Sequence, residues 1–287
     1  MLNKLEIGTA QFGLDYGIHN KSGQIPPENI EVILKLGQVR GVDSIDTASV
    51  YGSSETVLGT TGQLFDYKVY TKGCFPYVGA LKQEFEASCK RLRLSSLEGY
   101  YFHRFLDITE RPQLIEEALS LRREGKIRKI GFSVYYPKEV QWLLANEIPF
   151  DLLQFPLNLF DNRFVPLLPR LKQRQIELHA RSIFLQGLFF MELSSLPKHF
   201  EGVKEPLAYL QEYADGDRGN IARICLEHGL RNEFIDRIVV GFDSLDQLEF
   251  AINVQKSFSQ EDKGKNNGLK NLSIVNEQIV IPSNWRL

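Results

Sequence analysis

Four side chains that can move or hold a proton fall within the first 103 residues. They are Asp46 and Tyr51 in SIDTASVYGSSE, Lys72 in KVYTKG and His103 in YYFHR. A carboxylate and a phenol five residues apart, followed by an ammonium and an imidazole, suit proton transfer to or from an oxygen. A free phenol, with a pKa of about 10, is a sluggish acid near neutrality, and an ammonium beside it favours the phenolate. The ammonium must itself be kept charged, which is a task for a carboxylate. Each residue alone has a plainer reading. A strand-end Asp commonly anchors a loop, a lone His is commonly a satisfied structural group, and Asp46 with Lys72 can be a structural ion pair. Their joint placement, with Asp46, Lys72 and His103 at the ends of short apolar segments and Tyr51 in the turn after one, is what points to a site.

Those segments belong to a repeat. Apolar stretches of strand length occur at 4–8, 44–46, 68–72, 98–103, 127–132, 151–155, 176–181 and 236–241. Amphipathic stretches of helical period lie between them, at 29–40, 80–94, 112–124, 165–173, 219–228 and 245–254. Pro26-Pro27, Ser53/Ser54 with Glu55, and Ser244 read as helix starts. Eight strands, each followed by a helix, predict an α/β fold, a parallel (β/α)8 TIM barrel whose strand ends share one face. Residues 194–213 and 260–271 fall outside the repeat and read as long loops or added helices. A single domain spanning 1–287 is expected, with a mobile C-terminal segment near 259–273.

Bulk composition excludes some classes. The 287 residues are 43% hydrophobic, and 34 basic against 36 acidic residues leave a net charge of -2. Such a balance gives no footprint for nucleic acid or an anionic membrane surface. No apolar run is long enough to span a bilayer, the N-terminus lacks a signal-peptide layout, and Cys74, Cys89 and Cys225 show no metal-ligand spacing. A cytoplasmic protein, monomeric or weakly homo-oligomeric, acting on a small molecule and binding no metal, is the expectation.

The motifs DTASVYGSSE, YTKG and YYFHR resemble the Asp–Tyr–Lys–His tetrad of the aldo-keto reductases, single-domain barrel enzymes that use a nicotinamide dinucleotide. The resemblance covers nearly the whole chain in the family's element order. GTAQFGLDYGIHN, RSIFLQGLFF and IPSNWRL further resemble a bacterial subgroup associated with surface-polysaccharide and sialic-acid-like sugar pathways. The implied activity is hydride transfer to a carbonyl of an aldehyde, ketone or sugar, or the reverse. NAD(P)H supplies only the hydride, so Tyr51 is implied as the general acid/base, Lys72 as the group that lowers its pKa, Asp46 as the holder of Lys72, and His103 as a donor to the carbonyl oxygen.

The resemblance also implies a cofactor set: Thr9, Ser133 and Gln154 toward the nicotinamide, with Val134 where the family has an Asn. Ser182, Phe184, Gln186 and Gly187 resemble the pyrophosphate loop, and Gly241, Ser244 and Gln247 the adenosine end. Arg181 replaces the aromatic that usually stacks on the nicotinamide, and its guanidinium can stack there or hold negative charge. NADP(H) is the family default. No arginine lies in VVGFDSLDQLEFAI to grip a 2′-phosphate and Asp243 opposes one, which leaves NAD(H) open. Phe12, Tyr16, Phe105, Tyr135 and Phe160 are candidates for an aromatic rim. Two other readings remain: a Schiff-base aldolase built on Lys72, and a cofactor-binding regulatory subunit.

Overall fold

The computed structural model describes residues 3–18, 20, 23–258, 269, 272–274 and 276–285. Eight strands close into a barrel in sequence order: β1 Leu5–Gly8, β2 Ser44–Asp46, β3 Lys68–Gly73, β4 Leu97–Phe102, β5 Ile127–Ser133, β6 Leu152–Pro156, β7 Glu177–Arg181 and β8 Arg237–Gly241. Every neighbouring pair is parallel, and β8 returns to β1 with Gly241 opposite Gly8. The expected (β/α)8 TIM barrel is therefore present.

A helix follows each strand for a local reason. In Pro27–Val39 the proline supplies a pre-set first turn, and Ile30, Ile33, Leu34 and Gly37 form the buried face. Asp217 caps Arg218–Arg231 by accepting from Asn220 N at 2.7 Å, and Ser244 caps Leu245–Ser257 by accepting from Gln247 N. Residues 194–213 carry the added helix Lys204–Tyr213 and short 3-10 turns. The segment expected to be mobile near 259–273 lies outside the described residues except for 269, 272 and 273, of which Leu269 and Leu272 are buried.

Strand alternation divides the apolar material into two compartments. Outward residues such as Ile7, Ile45, Val69, Phe102, Ile130 and Leu178 join the helices in one large core. Burying each such side chain is worth about 1.5–3 kcal/mol. Inside the barrel only Tyr70, Tyr101 and Leu152 form an apolar cluster. Two inward glycines make room for it. A Cβ on Gly99 would lie 2.5 Å from the Tyr70 ring, and one on Gly131 2.4 Å from the Tyr101 ring. Apart from Val239 on β8, much of the rest of the interior is polar, which sets up the site above it.

Candidate active site

Asp46 closes β2, Lys72 stands near the end of β3, and His103 follows β4 directly, so three adjacent strands bring them to one mouth. Tyr51 arrives on the turn between β2 and the helix Ser54–Thr61. That turn is held from three sides. A Cβ on Gly13 would fall 1.9 Å from the Tyr51 carbonyl oxygen, so the β1 loop packs directly on it. Ser54 Oγ donates to the Thr9 carbonyl at 3.0 Å, and Glu55 takes hydrogen bonds from Thr71 and Arg91 at 2.6 Å each. The Ser53/Ser54 start signal thus works differently from expectation. Neither serine caps the helix, because Ser54 is turned into the interior.

Lys72 Nζ donates to Asp46 Oδ2 at 2.6 Å, to Asp46 Oδ1 at 2.7 Å and to the Thr47 carbonyl at 2.8 Å. An ammonium has three protons, so none is left for Tyr51. The cation instead lies 5.1 Å from the Tyr51 ring centroid. This corrects the expected sign of the Tyr51 shift. Burial, with the Asp46 charge adding to it, holds the phenol well above its ordinary value, and Arg181 is the cation that pulls it down. Among the described residues no hydrogen bond reaches the Tyr51 hydroxyl. His103 meets the Tyr51 ring edge-on at 5.9 Å. Burial, then Lys72 and Arg181, hold its imidazole down at about 3, so the ring is neutral at ordinary pH. Its Nδ1 is buried without a partner.

A cavity of about 550 Å³ opens above this group and runs to the N-terminus of the helix Leu245–Ser257. Asp46, Tyr51 and His103 line one end; Asp243, Asp246 and Gln247 line the other. Lys72 is not on its wall and is 1% exposed. A Schiff base needs a neutral, reachable amine, so this position argues against the aldolase reading.

The candidate cofactor residues sort into three groups. Ser133, Gln154, Arg181, Ser182, Phe184, Gln186, Gly187, Gly241 and Gln247 all line the cavity. Gln154 donates to Asp46 Oδ1 at 2.7 Å while its Oε1 is buried with no partner, an acceptor aimed at a donor that the protein does not supply. A nicotinamide carboxamide fits that need. At Gly241 a Cβ would collide with the Gln11 carboxamide at 2.3 Å, so β8 ends flush beneath Gln11. Gly187 has φ 92° and its N–H donates to the Phe184 carbonyl, which shapes the loop but takes that amide from any phosphate. The second group consists of Thr9, which reaches the wall with its hydroxyl already engaged by Asp46 O and Ser54. The third is Ser244, which does not line the cavity and serves as the helix cap.

Arg181 has no carboxylate within 4.0 Å among the described residues. Its guanidinium stacks 4.1 Å from the Tyr135 ring centroid and donates to Val134 O and Ser182 Oγ. Tyr16 and Tyr135 line the cavity as rim candidates, whereas Phe12 and Phe160 are fully buried and Phe105 packs edge-on against Trp142. Arg218 was not anticipated. It starts the helix after the added segment, lines the cavity, and pairs with Glu192 at 2.9 Å.

The model of the Aldo/keto reductase family matches residues 4–267. The chain is 26% identical to an uncharacterized oxidoreductase of Bacillus subtilis over 204 residues, 65% of this chain and 62% of that protein's length. It is 22% identical to D-arabinose 1-dehydrogenase of Saccharomyces cerevisiae over 261 residues, 79% of this chain and 77% of that one. Among solved structures, the holo form of aldo-keto reductase AKR11C1 from Bacillus halodurans superposes with a TM-score of 0.77 at 18% identity, covering 96% of this chain and 95% of that one.

Proposed function

The chain belongs to the aldo/keto reductase family and is an oxidoreductase, and we propose that it reduces the carbonyl of a small aldehyde, ketone or sugar, or runs the reverse reaction, with Tyr51 as general acid/base. The observation that carries this reading is a Tyr51 hydroxyl with no hydrogen bond among the described residues, lining the cavity beside His103 with the Asp46–Lys72 pair behind it. A nicotinamide cofactor, when bound, supplies the hydride. The Tyr51 O–H bond breaks as its proton goes to the substrate oxygen, and the phenolate left behind is stabilised by Arg181 and by Lys72 at the ring face. His103 donates a hydrogen bond to the same oxygen and orients it. Asp46 keeps Lys72 charged and in place, so Lys72 acts through its field and touches no substrate.

Gln154 and Ser133 would hold the nicotinamide carboxamide, and the Ser182–Gly187 loop the pyrophosphate. NADP(H) is the proposed preference over NAD(H), because Arg218 brings to the cavity wall the guanidinium that the β8 segment lacks. A sugar is the narrower substrate proposal, consistent with a relative named for D-arabinose and with the bacterial subgroup the motifs resemble. The test is a panel of aldehydes, ketones and aldoses assayed with NADPH and NADH by loss of reduced-cofactor absorbance. Turnover abolished by Tyr51→Phe supports the reading. Borohydride-trapped adduct on Lys72, or no turnover with any carbonyl, overturns it.

A further inference from the structure

Beneath Asp46 and Lys72 the barrel interior is ionic rather than the branched aliphatic packing usual for this architecture. His179, in the middle of β7, is fully buried and both ring nitrogens meet carboxylates: Nδ1 lies 3.0 Å from Glu6 Oε1 and Nε2 lies 2.9 Å from Glu177 Oε1. A neutral imidazole offers one N–H and one lone pair, while an ionised carboxylate only accepts. Two such contacts at once demand either an imidazolium or a protonated acid. Burial opposes the charged ring, but Glu6 and Glu177 outweigh it and bring the imidazole up to about 9.

The surroundings show which charge His179 must balance. Glu177 is already shared with Lys129 at 2.6 Å, and Lys129 also reaches Glu98 at 2.9 Å. On β8, Arg237 stands opposite His179 in register, pairs with Asp43 at 2.6 Å and also feels the Glu6 charge without touching it. Glu6 is different. It is 0% exposed, its Oε2 has no partner, and His179 is the one cation that contacts it among the described residues. Its nearest layer above holds Asp46, whose carboxyl is raised by burial first, is pulled back by Lys72, and is raised again by Glu6. The groups between the two layers are neutral: Tyr70 and Tyr101, with rings 4.9 and 6.1 Å from that of His179, and Tyr101 also 5.9 Å from Lys72 Nζ. Ser44 and Leu152 complete the interior wall on β2 and β6.

We propose that His179 is a positioning residue for the tetrad: its imidazolium cancels the charge of Glu6, and this keeps Asp46 ionised and clamped on Lys72. A buried carboxylate in the layer below raises the proton affinity of Asp46. Without the imidazolium, the Glu6 charge raises Asp46 with less opposing it, and a proton on Asp46 loosens Lys72 and weakens its field at Tyr51. This rests on the reductase reading for its catalytic consequence, though not for the charge arrangement.

The experiment uses the full chain. NMR of the histidine side chains should show His179 carrying protons on both nitrogens at pH 7, while His103 carries one. The Asp46 carboxyl carbon, followed against pH, should titrate about one pH unit or more higher in His179→Gln and lower in Glu6→Gln than in wild type. The acid limb of carbonyl reduction, measured with whichever panel compound wild type turns over fastest, should move in the same two directions with KM little changed. A neutral His179 at pH 7 overturns the proposal whether or not the variants fold, and so does an Asp46 titration identical in wild type and a folded variant. If wild type reduces no carbonyl, the reductase reading fails while the NMR arms still decide the charge arrangement.

Discussion

Lys72 Nζ sits 2.6 and 2.7 Å from the two carboxylate oxygens of Asp46, and with the Thr47 carbonyl at 2.8 Å all three ammonium protons are engaged. Both side chains are nearly inaccessible, at 1% and 3% exposure. The pair is therefore a structural element of the barrel mouth as well as part of the proposed tetrad. Lys72→Met leaves the Asp46 charge buried with only Gln154 donating to it. Breaking a buried pair from one side costs about 3–5 kcal/mol. Lys72→Met is expected to lose both activity and thermal stability, and the double variant Asp46→Asn/Lys72→Met to recover stability without activity. Denaturant unfolding of the three variants checks this, and a double variant no more stable than Lys72→Met alone contradicts it.

Tyr51→Phe should behave in the opposite way. Among the described residues no hydrogen bond is lost with the hydroxyl, so melting temperature should hardly move. Turnover should fall by roughly 10²–10⁴-fold, the usual worth of a general acid. Cofactor affinity, followed by fluorescence quenching, should stay near wild type.

Arg181 depends on its planar fork, which stacks on Tyr135 while donating to Val134 O and Ser182 Oγ. Lysine can reproduce the charge and not this geometry. Arg181→Lys and Arg181→Ala are both expected to weaken cofactor binding on the order of tenfold, the size of a lost cation–π contact plus a charged hydrogen bond. Isothermal titration with NADPH and NADH measures it, and wild-type affinity in Arg181→Lys would sink the geometric argument.

Arg218 should separate the two dinucleotides. Arg218→Ala is expected to raise KM for NADPH on the order of tenfold, as for one charge-assisted hydrogen bond, and somewhat less given its exposure, with KM for NADH unchanged. Equal effects on both cofactors would remove the proposed role at the 2′-phosphate.

His179 and His103 make opposite contributions to stability against pH. His179 is raised from 6.5 to about 9, so the folded state holds its proton more tightly than the unfolded chain. Its stabilisation is complete below pH 6.5 and fades as pH rises through about 9. His103 is lowered from 6.5 to about 3, so it costs stability as pH falls through that window. The melting-temperature gap between wild type and His179→Gln should therefore narrow from pH 6 to pH 10. A gap that widens with pH contradicts the assignment.

The sequence by itself determined the barrel and the placement of Asp46, Tyr51, Lys72 and His103 at its mouth, because both follow from local patterns. Strand and helix periods set the element order, strand ends carry Asp46, Lys72 and His103, and Ser244 announces a cap that needs only the next three residues. What tertiary structure decided were the partnerships. Gln154 reaches Asp46 across 108 residues, and His179 reaches Glu6 across 173. Arg218 joins the cavity lining from the helix Arg218–Arg231, far in sequence from β8. No periodicity encodes such pairs, since they depend on barrel closure and on the register between strands. The direction of the Tyr51 shift belongs to the same class. It turns on where three ammonium protons point and on how deeply the phenol is buried, and neither is a property of the residues' types or spacing.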